Sequence, residues 1–274
     1  MDTPIPFGIF DPEAEVGIEQ RSLPHWFQPG VATFITFRTT DSMPREVVAK
    51  WKTEVKEWLT GHGIAMAAEE HLPTVAQLRM RLAVGGRTEG GMENGIDGGE
   101  YRRGASGHTE TNGAGMENGN KGGEYRRGAS GHTGEQIISE YFKLRDGLWH
   151  GYLDECHGAC VLKDHRLAAI VLDSLKFFDG QRYDLDSAII MPNHVHLIAQ
   201  FRAPVTCRTQ CESWLHYTAW RINRCIGRRG AFWQSEPFDH LIRSEGQFHY
   251  LRNYIAQNGI AARLPADQYL YWSR

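Results

Sequence analysis

The sequence has no apolar run close to the roughly 20 residues that a membrane-spanning helix requires. The N-terminal segment, MDTPIPFGIFDPEAEVGIEQ, lacks the basic region and following apolar stretch that form a secretory signal. Cysteine is also scarce, and the five cysteines are an odd number, which argues against a disulfide framework. We therefore expect a cytoplasmic protein with reduced thiols and no membrane partner.

Lysine is absent from residues 202–263, where nine arginines face only four carboxylates. The formal net charge of the whole chain is −3, so this segment is basic within a slightly acidic protein. Arginine is suited to bidentate contact with phosphate, which favours a nucleic-acid partner. A solvated basic face is the alternative, and charge alone leaves both interpretations open.

Glycine is concentrated, because more than half of the 30 glycines lie within residues 85–134. There the segment GMENGIDGGEYRRGASGHT recurs almost unchanged as GMENGNKGGEYRRGASGHT. Each copy has almost no apolar residue to bury, so we expect a disordered insertion and not a repeat fold. A short nucleic-acid-binding motif in the repeated Glu-Tyr-Arg-Arg is the alternative. The predicted organisation is an N-terminal tail (1–30), a first domain part (31–84), the insertion (85–134), a second domain part (135–264) and a C-terminal tail (265–274).

Outside the insertion, apolar periodicity predicts both strands and helices. Strands are predicted at residues 31–38, 183–190 and 194–201, with an extended piece at 232–242. Helices are predicted after Pro44 and near residues 137–144, 167–178, 214–226 and 245–258. The small number of strands among helices indicates an α+β fold, with one small sheet packed by helices.

Two histidines with one apolar residue between them lie on the predicted strand at 194–201. Strand alternation places His194 and His196 on one face of the sheet and Val195 on the other. Two imidazoles at this spacing can bind one divalent metal through one ring nitrogen each. Two ordinary surface histidines are the alternative, which the pair alone does not exclude.

The predicted last helix carries a second chemical pattern. Tyr254 and Asn258 share a helix face, with Gln257 beside them, whereas Tyr250 lies one turn earlier. A tyrosine and an amide in this arrangement can supply a nucleophile and a third metal ligand. A tyrosine packed on the sheet beside Leu251 is the alternative, which helical spacing alone leaves open.

The segment MPNHVHLI, preceded by FFDGQRYDLDSAII, resembles the His-hydrophobic-His signature of single-tyrosine transposases, and among them the REP-associated tyrosine transposases. The segments FITFRTTDSMP, RINRCIGRRGAFWQSEPFDHLIRSE and NYIAQN also resemble this family, in the family's order, and together span most of residues 31–264 outside the insertion. The resemblance implies a ferredoxin-like core with a small antiparallel sheet, and the two histidines on a central strand.

The resemblance also implies a site and a reaction. The catalytic residue would be Tyr254, and Mg²⁺ or Mn²⁺ would be held by His194, His196 and Asn258, with Gln257 as the substitute for the amide. Attack on single-stranded or hairpin DNA would leave a 5′-phosphotyrosine and a free 3′-hydroxyl. Members of this family act as monomers or homodimers, and a nucleoid-associated location in the cytoplasm follows.

The DNA would be held by four arginines near the predicted helix at 214–226, namely Arg221, Arg224, Arg228 and Arg229. Trp233 either stacks on a base or packs in the core. One departure from the family is Gly259, where relatives usually have proline, although glycine can also end a helix as a C-terminal cap. The glycine-rich insertion is a second departure.

Three other interpretations stay open. In the first, the chain is a catalytically inactive protein that only binds DNA hairpins. In the second, it is a metal-dependent nuclease that forms no covalent intermediate. The third is zinc binding by cysteines. The pairs Cys156–Cys160 and Cys207–Cys211 suggest zinc binding, but their spacing of three intervening residues is less diagnostic than two.

Overall fold

The computed structural model describes residues 7–20, 24–67, 70–85 and 133–274. The predicted insertion at 85–134 lies outside the described residues except at its two ends. The strands are β1 (Gly17–Gln20), β2 (Pro24–Phe27), β3 (Ala32–Arg38), β4 (Tyr183–Ile190), β5 (His194–Phe201), β6 (Phe238–Leu241) and β7 (Leu270–Ser273). The α-helices are α1 (Arg45–Gly61), α2 (Val75–Gly85), α3 (Gly134–Asp154), α4 (His165–Lys176), α5 (Cys207–Ile226) and α6 (Glu245–Ala261).

Five strands form one sheet in the order β6-β3-β5-β4-β7, and every neighbouring pair is antiparallel. Without β7, the four remaining strands have the spatial order 4-1-3-2, counted along the chain. This is the order of the ferredoxin-like fold, so the predicted fold class is confirmed. Strands β1 and β2 form a separate two-stranded sheet.

Strand alternation divides the side chains of β5 between two apolar layers. Val195 and Leu197 pack with α4 and α5 on one face of the sheet, in a layer that includes Trp214. On the other face, Ile198 packs with Phe34 of β3 and with the apolar side of α6. The sheet therefore separates α5 from α6. Of these two helices, only α6 lies on the sheet face that carries the side chains of His194 and His196.

The chain divides into two compact units, residues 1–51 with 146–274 and residues 52–145. The first unit contains the five-stranded sheet. In the second unit, Leu59, Leu78 and Tyr141 are fully buried, and the Tyr141 hydroxyl donates to the Pro73 carbonyl at 3.3 Å. No helix among the described residues is both long enough and apolar enough to cross a membrane.

Helix α3 is much longer than the helix predicted near residues 137–144. It continues to Asp154 although Gly147 and Gly151 disfavour helix in this part of the sequence. The burial of Tyr152 and Leu153 against Met43 stabilises the last turns, because tertiary packing outweighs intrinsic propensity. The last residues of α3, up to Asp154, therefore belong to the first unit. The sequence predicted no function for them.

The other helices and the chain ends also differ in extent from the sequence expectation. Helix α5 begins at Cys207, not near residue 214, because Thr206 and Thr209 form a reciprocal capping box. Residues 265–274, assigned from the sequence to a tail, include β7, which pairs with the edge of β4. The strand predictions at 183–190 and 194–201 match the structure at both ends.

Gly259 does not cap the last helix, which corrects the sequence interpretation. Helix α6 continues to Ala261, and a Cβ atom at position 259 would lie 2.5–2.6 Å from atoms of the Tyr269 ring. Glycine therefore allows a close approach between the helix and this ring.

We expect Gly259→Ala to lower the free energy of unfolding by about 1–3 kcal/mol, since overpacking forces the ring or helix to move. Urea denaturation would measure this loss. Gly246→Ala in the first turn of the same helix is the control, because its Cβ would meet nothing closer than 4.0 Å. Equal stability of the two variants would contradict the close-packing role.

Candidate metal centre and tyrosine

His194 and His196 lie on the central strand β5, and both are fully buried. Their rings lie on the sheet face that α6 covers, 4.6 Å apart between centroids. In the register with β3, His194 is opposite Arg38 and His196 is opposite Thr36. Strand alternation thus brings the two histidines together as the sequence predicted.

Hydrogen bonds to the Nδ1 atoms orient both rings. The Asn193 side chain donates from Nδ2 to the His157 carbonyl at 2.8 Å, which leaves its Oδ1 to accept from His194 Nδ1 at 2.8 Å. Because Nδ1 then carries the proton in the neutral ring, Nε2 has a free lone pair. This Nε2 is buried without a hydrogen-bond partner among the described residues. His196 Nδ1 lies 2.7 Å from the Thr36 hydroxyl.

Asp154, at the end of α3, completes a group that the sequence did not predict. Three possible ligand atoms lie within 4.8 Å of one another: one carboxylate oxygen of Asp154 and one ring nitrogen from each of His194 and His196. The distance from Asp154 Oδ1 to His194 Nε2 is 3.5 Å. Two imidazoles and a carboxylate are a donor set that suits a divalent metal ion.

The amide of Asn258, the predicted third ligand, lies beside the same carboxylate. Asn258 is buried, and its Nδ2 donates to Asp154 Oδ1 at 3.2 Å. Its Oδ1 is buried without a hydrogen-bond partner among the described residues, which leaves an oxygen free for a cation. Gln257, the substitute considered from the sequence, is exposed. The donors present therefore fit a bound metal ion.

The Tyr254 side chain reaches this group from α6. Its hydroxyl lies 3.3 Å from His196 Nε2, and its ring stacks on His150 with centroids 5.9 Å apart. Burial, and then the charge of Asp154, raises the pKa of Tyr254, so the phenol is protonated at neutral pH. Tyr250, by contrast, is 69% exposed.

Burial also determines the protonation of the neighbouring imidazoles. Desolvation, together with the adjacent His194 and His150, holds the pKa of His196 well below its usual range. Burial lowers the pKa of His240 on β6 to about 4. His196 and His240 are therefore neutral at physiological pH, and a neutral imidazole is the form that binds a metal.

Arg38 lies at the end of β3, directly opposite His194. Its guanidinium stands 4.9 Å from the centroid of the Trp149 ring, and its Nη1 donates to the Ser42 hydroxyl at 3.2 Å. Burial lowers the pKa of Arg38 to about 10, which still leaves the side chain charged at neutral pH. Sequence analysis did not select this residue.

The four arginines predicted to bind DNA are all exposed. Arg221 and Arg224 project from α5, on the sheet face opposite α6, and Arg228 and Arg229 follow in the next loop. Trp233 is buried, and its Nε1 donates to the Thr218 hydroxyl at 2.8 Å, so it is a core residue.

The cysteine pairs do not form a metal site in the part of the chain that the structure describes. The one group of metal-binding side chains found there is Asp154 with the two histidines. All five cysteines are free, and the Cys207 and Cys211 sulfurs lie 3.8 Å apart.

Comparison with known proteins identifies one distant structural similarity. No protein-family model matches the chain, and no curated protein matches it. A solved structure described as a REP-associated tyrosine transposase bound to a REP hairpin matches with 15% sequence identity and a TM-score of 0.31. The match covers 37% of this chain and spans 59% of that protein's length. The chain is thus distantly similar in structure to part of a transposase.

Proposed function

We propose that this protein cleaves and rejoins single-stranded or hairpin DNA, with Tyr254 as the nucleophile and Mg²⁺ or Mn²⁺ as the cofactor. The observation that carries the proposal is the convergence of the Tyr254 hydroxyl with Asp154, His194 and His196. A phenol beside a buried metal-binding group is an arrangement for phosphoryl transfer to tyrosine. The transposase-like segments of the sequence support the same reaction.

In the proposed cleavage, Tyr254 Oη forms a bond to the scissile phosphorus as the bond from phosphorus to the 3′ oxygen breaks. The phenol proton is released, and the departing 3′ oxygen gains a proton, so one strand ends in a free 3′-hydroxyl. The other strand stays attached through a 5′-phosphotyrosine. Attack by a 3′-hydroxyl reverses the step and joins DNA with little net energy change, so no nucleotide cofactor is needed.

The surrounding residues orient the nucleophile and its neighbours. Thr36 holds the His196 ring so that Nε2 is turned toward the Tyr254 hydroxyl, and His150 supports the phenol by stacking. A divalent cation, when bound by Asp154, His194 and His196 with the Asn258 oxygen, supplies positive charge that lowers the phenol pKa and polarises the phosphate. Because burial and the charge of Asp154 keep the phenol protonated, cleavage should depend strongly on the cation.

The proposed DNA-holding surface is the exposed side of α5, where aromatic and basic side chains alternate. Tyr217 and Trp220 are 43% and 54% exposed. Arg221 donates to the Tyr217 hydroxyl at 2.9 Å, and the Arg224 guanidinium lies 5.7 Å from the Trp220 ring centroid. Single strands bind surfaces of this kind through base stacking and phosphate contacts. Arg228 and Arg229 extend this surface into the next loop.

We expect the double variant Arg221→Gln/Arg224→Gln to bind single-stranded DNA more weakly and to cut it at an unchanged rate when DNA is saturating. The sheet lies between α5 and Tyr254, so these arginines affect holding and not chemistry. The slope of log affinity against log salt should fall by about 0.7 for each phosphate that the variant no longer neutralises. Arg202→Gln, which removes an arginine paired with Asp184, is the control. An unchanged affinity and slope would remove α5 from the DNA-binding surface.

A second candidate function is a metal-dependent nuclease that uses water. It is favoured by the raised pKa of Tyr254, because a protonated phenol is a poor nucleophile. The two functions differ in their products, since hydrolysis leaves both DNA ends free.

The test uses hairpin oligonucleotides with single-stranded flanks, labelled at the 5′ or the 3′ end, incubated with Mn²⁺ and separated under denaturing conditions. We expect the 3′ label to migrate with the protein and the 5′-labelled fragment to be released with a free 3′-hydroxyl. Two free fragments would identify the nuclease. Retarded but uncut DNA would identify a protein that only binds hairpins.

A further inference from the structure

Arg38 is a charged group that the described structure leaves without a counter-ion. It is partly buried, and none of its contacts among the described residues is with a carboxylate. A desolvated guanidinium without an anion is unfavourable, and of its five N–H donors one is used in the hydrogen bond to Ser42. The side chain is therefore suited to bind an anion that comes from outside the chain.

The position of Arg38 identifies where that anion would lie. Arg38 and His194 are directly opposite in neighbouring antiparallel strands, so their side chains leave the sheet on the same face. That face carries the two histidines, Asp154 and Tyr254. An anion bound by Arg38 would thus lie next to the candidate metal centre, on the side of β3.

Two neighbours hold the guanidinium in place. The Ser42 hydroxyl accepts from Arg38 Nη1 and donates to the Thr39 carbonyl at 2.9 Å, so its own direction is fixed. The guanidinium carbon lies over the Trp149 ring, so a cation–π contact also restrains the side chain. A planar fork held in this way presents its remaining donors in a defined direction, as bidentate phosphate binding requires.

We propose that Arg38 binds the non-bridging oxygens of the scissile phosphate and positions it against Tyr254. This inference rests on the proposed function for the identity of the phosphate, whereas the anion site itself rests on Arg38 and its neighbours. In this arrangement β3 binds the phosphate through Arg38, whereas β5 and α3 supply the ligands of the cation.

The first experiment measures the anion site without DNA. Inorganic phosphate should raise the Tm of the full-length protein by roughly 2–4 °C at concentrations several-fold above its dissociation constant, at constant Mg²⁺. The shift should be lost in Arg38→Gln and reduced in Arg38→Lys, and it should persist in Arg202→Gln. If Arg38→Gln does not fold, the lysine variant decides. A full phosphate shift in the folded Arg38 variants would overturn the inference.

The second experiment uses an oligonucleotide whose scissile linkage is a neutral methylphosphonate, compared with the natural phosphate in the Tyr254→Phe background. Arg38→Gln should weaken binding of the natural DNA on the order of tenfold and leave binding of the neutral DNA unchanged. A purely structural role would weaken both equally, which would overturn the inference. If the unmodified protein cuts no DNA, the proposed function fails, and the phosphate shift alone then decides whether Arg38 is an anion site.

Discussion

Replacing Tyr254 with phenylalanine is expected to abolish both the covalent protein–DNA adduct and strand cleavage, with a loss of rate of at least about 10³-fold. The change removes one oxygen, the atom that lies 3.3 Å from His196 Nε2, and leaves the ring packed against His150 and Phe34. Folding and hairpin binding should therefore persist. Denaturing gels for the adduct and gel retardation for binding would measure the two properties separately.

Tyr250→Phe is the matched control for this experiment, because it makes the same change one helical turn earlier at an exposed position. It should cut DNA and form the adduct at the normal rate. If Tyr254→Phe still cuts DNA and leaves both ends free, the nuclease function replaces the transferase. If only Tyr250→Phe loses the adduct, the nucleophile has been assigned to the wrong turn of α6.

Loss of the Asp154 carboxylate is expected to remove metal-dependent cleavage as completely as loss of either histidine. Asp154→Asn keeps the size of the side chain but removes the charge that faces His194 Nε2 at 3.5 Å. Cleavage should fall by at least about 10²-fold. Mn²⁺ should raise the Tm of the unmodified protein but not that of Asp154→Asn, because a ligand of the folded state stabilises it.

His194→Ala, His196→Ala and treatment with EDTA should have the same effect on cleavage, and Mn²⁺ should reverse the effect of EDTA alone. DNA affinity should be largely retained in each case, since it rests on phosphate and stacking contacts elsewhere. Asp173→Asn, at an exposed position of α4, is the control carboxylate. Cleavage at the normal rate in EDTA would exclude the cation from the mechanism.

The part of the site that lies on β5 could be predicted because a strand pattern is local. Alternation along His194–Phe201 specifies which side chains share a face, and the apolar partners of the histidines mark the buried strand. Helical spacing similarly placed Tyr254 and Asn258 on one side of α6, and the structure brings both to Asp154 and His196.

Asp154 and Arg38 could not be found in the same way, because their roles depend on long-range packing. The glycines at 147 and 151 broke the helical pattern before Asp154, although His150 and Asp154 are spaced to share a helix face. Arg38 ends a strand whose register against β5 is set by the whole sheet. The arginines on α5 were recognisable by charge, but which sheet face they cover depends on the chain topology.

The sheet lies between α5 and the metal-binding group, so the two can change independently during evolution. Among the residues that the structure describes, α5 and the residues around His196 belong to different apolar layers, since the backbone of β5 lies between them. Substitutions at Tyr217, Trp220 or Arg224 should therefore combine additively with changes at the metal-binding group. Such a protein can therefore acquire new binding preferences through substitutions on α5 without a change in the residues beside Tyr254.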